Sequence, residues 1–166
     1  IVDDPTSPFA GKVGLLDTEG KFLSVTTNFQ DMAFGTNDFD IDYIFKTSIP
    51  ENGVLLEFRP PMTSGVYPNL SIIQGKVGYY SDTYAIEDTI ATSDNNYHHY
   101  RIKRTNNILS LIIDERLVGS VVDNKNYLIG QLLVNSGAYR GSAGSSAQDV
   151  MGSIAYIRIT NGIARD

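Results

Sequence analysis

Apolar and polar residues alternate along this chain with a period of two, and no segment sustains a capped helical period. The clearest run sets Phe39, Ile41, Tyr43 and Phe45 against Asp40, Asp42, Ile44 and Lys46, which predicts a half-buried strand. A second apolar set, Val54, Leu56 and Phe58, ends at Pro60-Pro61, because proline has no N–H for a sheet ladder. Residues 70–73 and 76–80 flank Gln74-Gly75 and predict a tight hairpin with Val77 and Tyr79 facing inward. Residues 97–104, 108–113 and 116–122 are separated by Thr105-Asn106-Asn107 and by Asp114-Glu115, and asparagine tolerates the positive φ of short turns. They predict a three-stranded meander that buries Leu109, Leu111 and Ile113. Residues 81–96 and the Gly-, Ser- and Ala-rich residues 135–152 are predicted surface loops, and 153–160 a closing strand stopped by Asn161-Gly162. Strands punctuated by turn signals every ~8–12 residues predict an all-β, two-sheet antiparallel sandwich or a barrel, with less than about a tenth of the chain in helix.

Composition narrows the function more than the fold. The 166 residues fit one domain, and no apolar run is long enough to predict membrane insertion. A net charge of −6 opposes a nucleic-acid partner, since phosphate binding needs clustered Lys and Arg. The absence of cysteine removes disulfides, thiolate catalysis and Cys-based zinc sites. The chain opens on Ile1 without a signal-peptide pattern, and is expected to be a single domain, 1–166, excised or processed from a longer protein.

Four blocks then resemble the laminin-G-like, concanavalin-A-like jelly-roll family, in order: GKVGLLDTEGKFLSV (11–25), FGTNDFDIDYIFKT (34–47), YHHYRIKRTNNILSLIIDERLVGS (97–120) and MGSIAYIRITNGIAR (151–165). Two positions depart from its pattern: Tyr97 stands for the usual Trp, and Glu115-Arg116 for the Gly of a "VDG" hairpin. The resemblance implies a two-sheet antiparallel jelly-roll sandwich. The first and last blocks look most like copies of this domain in bacteriophage structural and tail proteins. The family hosts adhesins, glycan-binding and protein-binding modules, so the fold alone does not set the function.

The chemistry-bearing residues are sparse. His98 and His99 are the only histidines and point to opposite faces of a strand, so they cannot share a site. His98 is expected to be packed and hydrogen-bonded, His99 to lie in solvent. Asp38, Asp40 and Asp42 would line one strand face, similar to the acidic strand of glucanases that share this sandwich, but those enzymes use Glu at the outer positions. A solvated face is expected instead, with no hydrolase activity. No catalytic residue and no cofactor are assigned; calcium is an open question, because Asp149 with Asp17 or Asp31 could supply oxygen ligands. Asn69-Leu70-Ser71 is a glycosylation sequon that matters only in a eukaryotic source.

The expected function is a non-catalytic recognition module for a carbohydrate or host-surface ligand, in a phage virion or a bacterial extracellular protein. Tyrosines supply the flat apolar faces that sugars need, and loops carry recognition on rigid sandwiches. The candidate contacts are Tyr80, Tyr84, Asn135, Tyr139, Arg140 and Asp149. One alternative is a structural domain of a virion, a capsid decoration or tail-assembly element, with copies of itself or other virion proteins as partners. A degenerate glucanase is the remote third.

Overall fold

Three two-residue turns each set a hairpin among the described residues. Gln74-Gly75, Asn106-Asn107 and Asp114-Glu115 all take positive φ at both positions, 51° and 78°, 50° and 62°, 49° and 65°. That is the type I′ geometry whose twist matches the twist of paired strands. Glu115 occupies a left-handed position where the resembling family carries glycine. The turn is held from its flank by Asp114, whose Oδ1 accepts the His99 backbone N–H at 2.9 Å.

The structure is a computed structural model that describes residues 1–9, 12–18, 22–25, 32–50, 52–60, 66–128, 130–136 and 149–162, with the side chains of Thr83 and Tyr84 outside that description. Among these residues are thirteen strands and no α-helix. One antiparallel sheet has the order β1 (Val2–Asp3), β2 (Lys12–Leu16), β13 (Gly152–Asn161), β4 (Phe39–Lys46), β9 (Tyr97–Thr105), β10 (Ile108–Ile113) and β11 (Arg116–Val122). The other has β3 (Leu23–Val25), β12 (Leu132–Val134), β5 (Gly53–Glu57), β6 (Asn69–Ile73), β7 (Lys76–Ser81) and β8 (Thr83–Ala91). The predicted meander is β9–β10–β11, and the predicted hairpin is β6–β7.

The core lies between the sheets. Phe39, Ile41, Tyr43 and Phe45 of β4 face Leu56, Leu70, Ile72, Val77 and Tyr79 of the other sheet, all nearly inaccessible. Leu109, Leu111 and Ile113 are buried as predicted. Tyr97, in place of the family's Trp, donates its hydroxyl to Asp4 Oδ2 at 2.8 Å, under the ammonium of Lys46. Burial first, and then the Asp4 carboxylate, push that hydroxyl up to about 12.

Three expectations are corrected here. Residues 81–96 are not a loop, because Thr83–Ala91 forms β8 along the sheet edge and buries Ile86. Register shifts in its pairing with β7 erase the period-two signal that would have revealed it. In β5 a bulge between Val54 and Leu56 turns both Leu55 and Leu56 into the core and leaves Val54 outside the central cluster. The expected 135–152 loop does not begin at the surface either, since Asn135 and Ser136 are fully buried where β12 ends.

Candidate functional site

The six-stranded sheet turns its second face away from the core, and the ladder register says which residues lie there. Asn69 pairs with Tyr80, Ser71 with Gly78 and Ile73 with Lys76, while Gly78 also opposes Glu87 and Tyr80 opposes Tyr84 of β8. Glu57 of β5 continues the Asn69 row. This face is polar but largely inaccessible at its centre: Glu57 is 3% exposed, Asn69 5% and Ser71 7%. Buried polar groups need partners, and these are linked. Asn69 Nδ2 donates to Glu57 Oε2 at 3.0 Å, the Arg59 N–H donates to Glu57 Oε1 at 3.1 Å, and the Ser71 hydroxyl donates to Asn69 Oδ1.

Toward β8 the face opens into a pocket of about 190 Å³, lined by Ile73, Gln74, Lys76, Val77, Gly78, Glu87 and Asp88. Gly78, between Lys76 and Tyr80 on β7, is among the lining residues and adds no side chain there. Lys76 and Glu87 stand exposed at the rim, and Tyr80 is half-buried on the same face. Asp88 is fixed rather than available: its Oδ2 accepts from Arg116 Nη2 of β11 at 2.6 Å and its Oδ1 from the Ile90 N–H at 3.1 Å. The Arg116–Asp88 pair joins the edge strands of the two sheets. Among the described lining residues the arrangement can offer a ligand a few polar groups beside the side-chain-free Gly78, with no nucleophile–base pair.

The residues singled out from the sequence meet different fates. Tyr80 lies on β7 two residues beyond Gly78, outside the described pocket lining. Tyr84 stands opposite it in the ladder, on a strand rather than in a loop, with its side chain outside the described residues. Asn135 is a correction: it is 0% exposed, its Nδ2 donates to the Val150 carbonyl at 2.8 Å, and its Oδ1 accepts from the Tyr43 hydroxyl. It ties β12 to the start of β13 and presents nothing to solvent. Tyr139 and Arg140 lie outside the described residues, as does Asp31. Asp149 is half-buried, just before the Val150 N–H that donates to the Asn135 carbonyl at 3.2 Å. No group of three or more His, Cys, Asp or Glu suited to a metal ion occurs among the described residues. Sequence reasoning missed Glu57, Lys76, Gly78 and Glu87. Of these Gly78 alone carried a signal, as a glycine inside a strand pattern. The Asn69 sequon lies on a strand with its amide spent on Glu57.

The opposite face of the sandwich carries the aspartate row, and it is not solvated as expected. Asp40 is 0% exposed and Asp42 4%. Arg101 Nε donates to Asp40 Oδ1 at 3.0 Å, Arg158 donates to Asp42, and His99 Nε2 lies 2.8 Å from Asp42 Oδ1. The two arginine pairs and the His99 contact link β9, β4 and β13, so His99 is half-covered rather than free in solvent. No acid–nucleophile pair is formed.

His98 is packed and hydrogen-bonded, as expected. Its Nδ1 lies 2.6 Å from Asp114 Oδ2 and its Nε2 2.9 Å from Asp94 Oδ1, with Tyr100 alongside. Ionised carboxylates only accept, so the ring holds both bonds only as the imidazolium. Burial pulls its pKa down, but the hydrogen bonds it donates to Asp114 and Asp94 outweigh it and the pKa is raised above 6.5. Asp94 is correspondingly held down to about 2, chiefly by the Asn96 amide and then by His98. A raised folded-state pKa stabilises fully below the unfolded value and loses that contribution as pH rises through the folded value. The melting temperature should therefore fall as the pH rises above about 6.5. His98→Gln should be less stable at the acid end and lack this fall; parallel wild-type and variant profiles would remove His98 as the cause.

No family model matches the chain, and no curated protein does. Solved structures do. Domains LG4-5 of the mouse laminin α1 chain superpose with a TM-score of 0.71 at 16% identity, covering 93% of this chain and 42% of that one. The chain thus spans less than half of the laminin fragment. The CBM40 of the Ruminococcus gnavus IT-sialidase, bound to α2,3 sialyllactose, gives a TM-score of 0.71 at 12% identity and covers 93% of this chain and 92% of that one. The heptameric SAP-like pentraxin of Limulus polyphemus gives 0.62 at 8% identity, over 89% of this chain and 74% of that one. Likeness at such identities speaks for the fold alone, and by its two antiparallel sheets and these neighbours this chain has the jelly-roll sandwich fold seen in laminin G domains and CBM40.

Proposed function

We propose that this domain is a non-catalytic recognition module that binds carbohydrate at the β7–β8 end of the six-stranded sheet's outer face. The observation that carries the reading is the pocket lined by Gly78, with the exposed Lys76 and Glu87 in its lining and Tyr80 two residues beyond Gly78 on the same face of β7. Small sites for sugars combine an apolar surface with a few placed polar groups. A structural neighbour that matches nearly the full chain, CBM40, was solved with sialyllactose, which supports this reading. Tyr84, Tyr139, Arg140 and Asp149 stay as further proposed contacts from the sequence. Calcium through Asp149 and Asp17 is likewise a proposal, tested by calorimetric titration. The setting, a virion or a bacterial extracellular protein with a host-surface glycan as ligand, rests on the sequence resemblance alone.

A glycan array tests the reading, followed by Tyr80→Ala. Loss of one aromatic face should weaken binding by about tenfold, in line with ~1 kcal/mol for such a contact. The melting temperature should stay nearly unchanged, because Tyr80 lies outside the core. Undiminished binding by the variant would move the site elsewhere. A second reading, a structural element that packs against copies of itself, is favoured by the exposed Ile108, Leu117 and Val122 on β10 and β11. Concentration-dependent mass in solution without glycan binding would select it.

A further inference from the structure

Taking the carbohydrate reading as its basis, we infer that the Gly78 pocket selects uncharged sugars and rejects anionic ones. The charges that line it are few and balanced. Lys76 is the one exposed cation of the lining, and Glu87, also exposed, stands with it at the rim. Asp88 is paired with Nη2 of Arg116, which lies outside the described lining. No arginine is among the described lining residues. A carboxylate, sulfate or phosphate on a sugar is held most effectively by the planar guanidinium fork, which pairs two oxygens at once. A lone lysine next to a glutamate offers no net positive charge to replace it. Farther along the same face the Glu57 carboxylate is buried within the Asn69 and Ser71 row, and the chain as a whole carries −6.

The same groups suit hydroxyls. Glu87 can accept from two neighbouring hydroxyls, and Lys76 and the Gln74 amide can donate to sugar oxygens. Gly78 lets a ring approach the strand backbone. A pocket of about 190 Å³ lies below the few hundred Å³ of drug-sized sites and suits a terminal sugar unit better than a long chain.

The test compares lactose-type neutral glycans with their sialylated and sulfated counterparts, at about 20 mM and about 300 mM NaCl, for the parent chain and for Glu87→Ala. The neutral glycan should bind at least about tenfold more tightly than its anionic counterpart, with less than about twofold change across the salt range. Glu87→Ala should weaken neutral binding by about fivefold or more, since a charged hydrogen-bond acceptor is lost. Tighter, salt-sensitive binding of the anionic glycans would overturn the selectivity and leave the carbohydrate reading standing. Neutral binding unaffected by Glu87→Ala would overturn the assignment to this pocket. Binding of neither class would overturn the carbohydrate reading itself, and the inference with it.

Discussion

Arg104→Ala should destabilise the domain by about 3–5 kcal/mol, the usual cost of stripping one partner from a buried charged network. Arg104 sits on the core-facing side of β9, beyond Tyr100 and Ile102, and is 0% exposed. Its guanidinium lies 4.9 Å from the ring centroids of both Phe39 and Tyr127. Every donor group is used: Nε reaches the Asn37 carbonyl at 2.9 Å, Nη2 the Gly35 carbonyl at 2.8 Å, and Nη1 the Lys125 carbonyl at 2.9 Å and Asp123 Oδ2 at 3.4 Å. Asp123 also accepts the Tyr127 hydroxyl, which lies 2.8 Å from the Tyr79 hydroxyl. One side chain therefore fastens two rim loops to both sheets. Alanine would strip a donor from the Asn37, Gly35 and Lys125 carbonyls, of which Gly35 keeps the Tyr127 N–H, and would leave the buried Asp123 carboxylate without its cation. Urea unfolding measures the loss, and Arg104→Met, which keeps most of the volume, separates charge from packing. A loss below about 1 kcal/mol in both variants would mean that water satisfies these groups freely.

Leu111→Ala is the second large effect, expected at about 2–5 kcal/mol. Leu111 is 0% exposed at the middle of β10, paired with Ile102 on one side and Gly119 on the other. Backbone hydrogen bonds to both neighbours prevent the strands from closing over a cavity, and the cavity term stays large when a site cannot collapse. Leu117→Ala is the control. That residue is 59% exposed, and its truncation should stay within about 0.5 kcal/mol. Equal losses at the two positions would contradict the placement of the core.

These residues differ in how visible they were beforehand. Leu111 could be read from alternation, because strand side chains switch faces at every step and one face of β10 is uniformly apolar. Arg104 occupies an inward position in the neighbouring alternating strand β9, where a charged residue has no local reason to be. The site shows the same division. Tyr80 follows from the alternation of β7, whereas Glu87 stands beside Gly78 only because β8, invisible as a strand, pairs along that edge.

Local chemistry alone settled a good deal: type I′ turns at Asn106-Asn107 and Gln74-Gly75, the meander, the inward face of β4 and the all-β class. Each depends on interactions within a few residues, the φ preference of asparagine and glycine or the two-residue period of a strand. Other features required the assembled sheets. Asp40 and Asp42 looked solvated until β9 and β13 brought Arg101 and Arg158, 61 and 116 residues away in sequence, against them. Asn135 looked like a loop residue until the approach of β4 and β13 enclosed it. The Gly78 pocket exists only where β6, β7 and β8 lie side by side. Pairing over such distances leaves no periodic trace in a single chain, because the partner's identity is set by sheet order and register, and those minimise free energy over the whole fold.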